Sequence, residues 1–135
     1  MAGMAPTFSA IGLVVADMAT ALAFYRTLGL DIPADADKEP HVDLELPGGL
    51  RLMWDTQDTI RSFNPDWTPA GGDPKVDLAF RCADPAEVDA VYATMTGAGF
   101  HGHREPWDAF WGQRYAVLHD PDGNGVDLYA DLATI

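Results

Sequence analysis

Apolar positions in the first third of the chain follow two different periods. Residues 8–16 form a short, strongly apolar run, which predicts a strand buried on both faces. Asp17 suits a helix N-cap and Gly29 a C-terminal stop. Between these two, apolar residues recur at helical spacing: Met18, Ala21, Leu22, Tyr25 and Leu28. The pattern therefore predicts a strand followed by an amphipathic helix that lies across a sheet.

Two further strands and a long polar segment complete the first half. Residues 31–40 are polar and bounded by prolines, which predicts a loop. Residues 42–46 alternate between apolar and acidic side chains, as a half-buried strand does, and residues 50–54 predict the next strand. Residues 55–74 are rich in polar residues, proline and glycine. Unpatterned segments of this length are often functional in compact domains.

The second half repeats this order. Residues 76–82 alternate as a strand, with Asp77 on the polar side. Asp84-Pro85-Ala86-Glu87 places an N-cap, an N1 proline and an N3 glutamate in order, which predicts a second helix that ends at Gly97 and Gly99. Residues 100–104 predict a strand after it.

The last quarter of the chain reads as an aromatic-rich loop, a strand, a tight turn and a final strand. The turn is Asp120-Pro121-Asp122-Gly123-Asn124, in which proline, glycine and Asx side chains each favour a hairpin. On the final strand, Asp127 and Tyr129 lie on the face opposite to Val126 and Leu128.

The repeated order indicates an internal duplication. We expect one domain over residues 1–135, with a first module over about 7–56, a linker over about 57–74 and a second module over about 75–133. Neither half is large enough to be stable alone, so the two halves should pair.

Charge and cysteine content exclude several classes of partner. The net charge of −13 argues against nucleic acid and anionic membranes, because phosphate binding needs clustered Lys and Arg. Cys82 is the only cysteine, which favours a reducing cytoplasm, and an inert buried thiol is favoured over a nucleophile. The N-terminal residues lack the basic and apolar regions of a signal peptide, and no apolar run has the length of a membrane span.

Two motif pairs resemble the vicinal-oxygen-chelate superfamily, which contains glyoxalases, extradiol dioxygenases and bleomycin resistance proteins. They are Val14-Val15-Ala16-Asp17-Met18 with Phe24-Tyr25-Arg26-Thr27-Leu28-Gly29, and Asp120-Pro121-Asp122-Gly123-Asn124 with Val126-Asp127-Leu128. The resemblance implies an α+β fold of two tandem βαβββ modules. Their strands would form a curled, partly open mixed sheet around a cavity, with helices outside and commonly a homodimer. Segments 52–56, 59–62, 105–107 and 111–116 are similar to mitomycin-binding antibiotic-resistance proteins.

The resemblance also places four metal-ligand positions, at Ala10, Arg51, Asp77 and Asp127. Alanine cannot coordinate a metal and arginine carries a permanent positive charge, so we expect neither a metal nor another cofactor. An ion pair of Arg51 with Asp77 or Asp127 is one alternative outcome. His101 and His103 have the spacing of one strand face, but two exposed surface histidines are favoured. His41 and His119 have no partner evident from sequence.

Aromatic residues outside the periodic stripes are the main functional signal. They are Trp107, Phe110 and Trp111 before the last hairpin, Phe63 and Trp67 in the linker, and Trp54 just before it. They either cover the ends of the sheets as a satellite core or clamp a flat ligand. Polar groups for such a ligand would come from Arg51, Asp77, Asp127 and Tyr129.

We therefore expect a non-enzymatic protein that binds a planar aromatic antibiotic of the mitomycin or bleomycin type and confers resistance by sequestration. Two alternatives stay open. One is a metal-dependent enzyme of the glyoxalase or dioxygenase type, with Asp77, Asp127 and a histidine as unusual ligands. The other is a metal-free enzyme that modifies a natural product, with Asp127 as base.

Overall fold

A computed structural model of the chain describes residues 5–133, which contain seven strands, three α-helices and a short 3-10 helix. The first half contains β1 (Ala10–Val15), α1 (Met18–Leu28), a 3-10 helix (Ala34–Lys38), β2 (His41–Glu45), β3 (Arg51–Thr56) and α2 (Gln57–Arg61). The second half contains β4 (Asp77–Arg81), α3 (Pro85–Gly97), β5 (His101–Ala109), β6 (Gln113–His119) and β7 (Gly125–Asp131). The fold is therefore α+β, as the sequence predicts.

The strands form two open sheets, and neither sheet closes into a barrel. The first has the order β1-β3-β2, and the second has the order β4-β7-β6-β5. In each sheet the first strand of the half pairs in parallel with the last one, and the remaining neighbours are antiparallel. The second half is a complete βαβββ module. The first half, within residues 5–133, has three strands instead of the four that the family resemblance implies.

Contacts divide the chain into two compact units whose boundaries differ from those of the sequence modules. Within residues 5–133, the first unit contains residues 5–19 and 32–68, and the second contains residues 20–31 and 69–133. Most of α1 therefore groups with the second sheet, although the sequence places it in the first module. The expectation of an unpatterned linker is wrong for residues 57–61, which form α2. This helix is capped by Thr56, whose hydroxyl accepts a hydrogen bond from the Thr59 N–H.

Local sequence signals account for both long helices. At the start of α3, the Asp84 carboxylate accepts a hydrogen bond of 2.9 Å from the Glu87 N–H. The Glu87 carboxylate in turn accepts one of 3.0 Å from the Ala83 N–H, which completes a capping box. In α1, Leu22, Phe24 and Tyr25 are fully buried. The ring of Phe24 makes an edge contact with Phe100, at 5.2 Å between centroids. None of the helices in residues 5–133 has the length and apolarity that crossing a bilayer requires.

Candidate functional site

The second sheet collects aromatic and acidic side chains on one face. In its register, Tyr115 on β6 lies opposite Trp107 on β5 and Tyr129 on β7. Asp127 lies two positions before Tyr129, and side chains two apart on a strand share a face. Asp77 lies four positions before Arg81, the β4 partner of Tyr129, and so shares this face as well. Side chains from four strands, β4 to β7, thus lie on a single surface.

Five aromatic rings of the second unit form a continuous cluster on this surface. Centroid distances are 5.2 Å for Phe110 to Trp111, 6.0 Å for Trp111 to Trp107, 5.5 Å for Trp107 to Tyr115 and 6.3 Å for Tyr115 to Tyr129. Phe110 is 98% exposed and Trp111 48% exposed. The sequence placed Trp107 in an irregular segment, which is wrong: β5 extends to Ala109 because its pairing with β6 continues that far.

Polar contacts orient the two tryptophans differently. The Trp111 indole N–H donates to Oε1 of Gln113 at 2.9 Å, and the Gln113 amide donates to Asp131 at 3.1 Å. The Arg104 guanidinium carbon lies 3.7 Å from the centroid of the Trp107 ring, in a cation–π contact. Arg104 therefore covers one face of Trp107, and Trp111 is the ring that offers more open surface to a ligand.

Asp127 is the buried acidic group of this surface. It is only 6% exposed, and its Oδ2 accepts a hydrogen bond of 2.5 Å from the Tyr115 hydroxyl. Its Oδ1 is buried without a hydrogen-bond partner. Burial raises the pKa of the Asp127 carboxyl, the Tyr115 hydrogen bond opposes that shift, and the charge of Asp77 adds to it. Burial and the bond to Asp127 raise the pKa of Tyr115, which keeps its hydroxyl protonated as a donor.

The other four predicted ligand residues belong to the first unit. Trp54 is fully buried in β3, which makes it a core residue. Arg51 bonds to Asp43 on the neighbouring strand at 2.6 Å. Phe63 is 73% exposed after α2. The Trp67 ring lies 5.4 Å from the Arg61 guanidinium carbon, and its backbone oxygen accepts a hydrogen bond from Arg61.

The four positions at which the family resemblance places metal ligands do not fit a metal ion. Ala10 is the register partner of Arg51, and alanine has no ligand atom. The Arg51 guanidinium is cationic and already pairs with Asp43. Only the carboxylates of Asp77 and Asp127 remain, which is fewer ligands than a zinc or non-haem iron site uses.

Sequence reasoning missed a histidine cluster on the second sheet. The ring nitrogens of His101, His103 and His119 lie within 4.8 Å of one another. His119 sits opposite His101 in the register of β5 and β6, and it stacks on His103 at 4.2 Å between centroids. Burial, followed by the neighbouring His103 and His101, lowers the pKa of His119. Folding the segment 101–119 as a hairpin about its aromatic turn would have revealed the pairing.

The second unit has two further features, a pocket and a buried cysteine. A concave pocket of about 320 Å³ is lined by residues 70–76 and 122–124, beside the turn between β6 and β7. Cys82 is buried, and burial together with Glu87 and Asp84 raises the pKa of its thiol. A protonated thiol is a poor nucleophile, in line with the inert role expected from the sequence.

Comparison with known proteins gives a family and a fold. Residues 7–128 match the Glyoxalase/Bleomycin resistance protein/Dioxygenase superfamily. A crystal structure of a glyoxalase/bleomycin resistance protein/dioxygenase from Nocardioides is 25% identical, covers 97% of this chain and 87% of its own, and has a TM-score of 0.75. No curated protein matches the chain.

Two more solved structures share the fold at lower identity. A glyoxalase/bleomycin resistance protein/dioxygenase family enzyme from Burkholderia phytofirmans PsJN is 18% identical, with a TM-score of 0.79 and coverage of 94% and 100% of the two chains. A glyoxalase-related enzyme from Fulvimarina pelagi is 16% identical, with a TM-score of 0.77 and coverage of 93% and 88%. The similarity to mitomycin-binding proteins stays a prediction. The chain belongs to the Glyoxalase/Bleomycin resistance protein/Dioxygenase superfamily and has its α+β fold.

Proposed function

We propose that the chain binds a flat, nitrogen-bearing aromatic small molecule, of the kind represented by mitomycin- and bleomycin-type antibiotics, and sequesters it without converting it. One observation carries this proposal. The exposed ring of Trp111 and four further rings share a sheet face with Asp127, a buried carboxylate that has one unpaired oxygen. A flat molecule with an N–H group needs two features in its binding site, which are a surface for stacking and a hydrogen-bond acceptor.

The magnitudes are sufficient for useful affinity. Each aromatic contact adds about 0.5 to 1.5 kcal/mol beyond the area that it buries. A buried acceptor without a partner costs about 1 to 3 kcal/mol, which a ligand donor would recover by a rotation of the Asp127 carboxylate that brings Oδ1 to the surface. Together with the apolar area of one flat ring system, these contributions approach the roughly 8 kcal/mol of a micromolar complex.

Charge favours a cationic or amine-bearing ligand. The chain has a net charge of −13, and Asp77 and Asp127 lie on the same sheet face as the rings. A ligand ammonium would be attracted by both carboxylates. Its positive charge would form an ion pair with Asp127 and would offset the repulsion between Asp127 and Asp77.

We further propose that a second copy of the chain supplies the opposite wall of the site. Phe110 and Trp111 lie on an open surface, whereas small ligands usually bind in concave sites that cover most of their area. A homodimer would enclose the ligand, and light scattering on the purified protein measures the molar mass that tests this. Sequestration would take place in the cytoplasm, the setting that the single cysteine favours.

The first test is a tryptophan fluorescence titration of protein dialysed against a chelator, with mitomycin- and bleomycin-type compounds as probes. We expect saturable quenching without added metal, and recovery of the probe unchanged by mass spectrometry. The absence of quenching by any planar probe would contradict the proposal.

A metal-free enzyme is the second candidate function. Asp127 has the raised pKa and the unused carboxylate oxygen of a general base. If the probe is bound and then recovered chemically altered, sequestration is excluded, and loss of this conversion in Asp127→Asn would assign Asp127 as the base. A requirement for a divalent ion would instead favour the metal-dependent alternative.

A further inference from the structure

Three histidines at one end of the second sheet form a preorganised set of nitrogen donors. His101 and His103 are exposed on β5, and His119 is partly exposed at the end of β6. One ring nitrogen of each histidine lies within 4.8 Å of the corresponding nitrogens of the other two. Around a tetrahedral zinc ion, with Zn–N bonds of about 2.0 to 2.1 Å, ligand nitrogens are separated by about 3.4 Å. Small side-chain rotations of the exposed rings close that difference and leave the backbone in place.

The backbone of β5 holds two of these rings on the same side. Gly102 lies between them and faces α3, where a Cβ would overlap the Tyr92 ring and Thr96. The helix α3 therefore approaches one side of β5, and His101 and His103 lie on the other side with His119, at 5.4 and 4.2 Å between ring centroids. The pairing of β5 with β6 skips His103, in a β-bulge between Gly102 and Arg104. Because His101 is the register partner of His119, the third ring lies directly beside them.

A carboxylate lies in the same row of the sheet. The register runs from Asp77 to Gly125, from Gly125 to His119 and from His119 to His101. The Asp77 carboxylate leans over Gly125, where it fills the space that a Cβ would take. The Asp77 carboxylate therefore extends from β4 toward the strand of His119. Its negative charge attracts a cation toward the three histidines.

We propose that His101, His103 and His119 bind one divalent transition-metal ion of the Zn²⁺, Co²⁺ or Ni²⁺ class. Neutral imidazole nitrogens are favoured ligands of these ions, and three of them leave a coordination position open for water or a small ligand. The histidines lie on β5 and β6, whereas the four family positions lie on β1, β3, β4 and β7. The site is thus distinct from the metal site that the family resemblance implies, and it goes beyond the proposed ligand binding.

Isothermal titration of the chelator-treated full chain with ZnCl₂ tests the proposal, with MgCl₂ as a metal that prefers oxygen ligands. We expect one Zn²⁺ per chain and no measurable heat with Mg²⁺. His101→Gln and His103→Gln, at exposed positions, should each weaken Zn²⁺ binding at least tenfold, and the triple variant with His119→Gln should abolish it. His41→Gln is the matched control, since His41 lies on β2 beside Asp43 and Asp55 in the first unit.

Imidazole NMR signals supply a second readout that needs no activity and no planar ligand. Zn²⁺ should shift the ring signals of three histidines and leave those of His41 in place, and circular dichroism establishes that each variant is folded. Zn²⁺ binding that survives in the triple variant, or that disappears in His41→Gln, would overturn the proposal. So would the absence of Zn²⁺ binding by the unsubstituted chain.

Discussion

The hydroxyl of Tyr25 donates a hydrogen bond of 2.7 Å to Oδ2 of Asp120, a residue 95 positions later in the chain. Both side chains are buried, and the bond joins α1 to the turn between β6 and β7. Asp120 also organises the turn, because its carboxylate accepts hydrogen bonds from the Asp122 N–H and from the backbone and side chain of Asn124. One carboxylate thus completes the hairpin turn and anchors a helix from the other half of the sequence.

Substitution of Tyr25 and substitution of Asp120 should lower the free energy of unfolding by different amounts. Tyr25→Phe removes one donor and leaves three to Asp120, so the free energy of unfolding should fall by about 1 to 2 kcal/mol. Asp120→Ala removes the acceptor that all four of these donors share, so the loss should be at least twice as large. Urea unfolding followed by circular dichroism measures both values. Equal losses would show that the turn does not depend on Asp120.

Trp111 should matter for binding and little for folding. Because its ring is 48% exposed, Trp111→Ala should weaken binding of a planar probe more than tenfold while leaving the melting temperature nearly unchanged. Phe8→Ala is the control for loss of an exposed aromatic ring elsewhere, since Phe8 is 74% exposed in the first unit. Quenching titrations of the two variants give the comparison. Equal affinities would exclude Trp111 as a stacking surface.

Affinity for a cationic probe should depend on pH through Asp127. Burial raises the pKa of this carboxyl above its ordinary value of 3.8, so it becomes neutral at a higher pH than an exposed aspartate does. Attraction of a cation requires the ionised form, and affinity should therefore fall as the pH is lowered through the raised pKa.

The Asp127→Asn variant tests the assignment of that pH dependence. It should bind the cationic probe weakly at neutral pH and should lose the acidic transition, because no carboxyl titrates at this position. The test measures the affinity of both proteins for the probe over the acidic pH range. The probe must keep a constant charge over that range. An acidic transition that persists in Asp127→Asn belongs to another group.

The capping box of α3 should contribute to stability independently of the site. Asp84→Ala removes the acceptor of the Glu87 N–H, and losses of this kind cost about 0.5 to 2 kcal/mol. Asp66→Ala, at an exposed aspartate outside the helices, should change the unfolding free energy much less. Chemical unfolding of the two variants checks the difference.

Short-range sequence signals predicted individual helices, strands and turns. The pairing of strands that are distant in sequence decided which side chains are in contact. The sequence predicted α1, α3 and the turn at Asp120 because caps, helical spacing and turn residues act within a few positions. It missed α2, since five residues are too few for a periodic signal. For the site, it identified Trp111, Asp127 and Tyr129 as side chains outside the core pattern, but it did not predict that Trp111 and Asp127 both contact Tyr115.

The sequence by itself determined the repeated order of strands and helices in the two halves and the polar face of the last strand, and the family resemblance implied the α+β class. Each of these depends on propensities and periods that a short segment carries alone. Only the tertiary structure decided that Trp107 continues a strand, that Tyr115 pairs with Asp127 and that three histidines share one corner of the sheet. These relations depend on strand register, which is set by packing and pairing across the whole sheet, so no single segment encodes them.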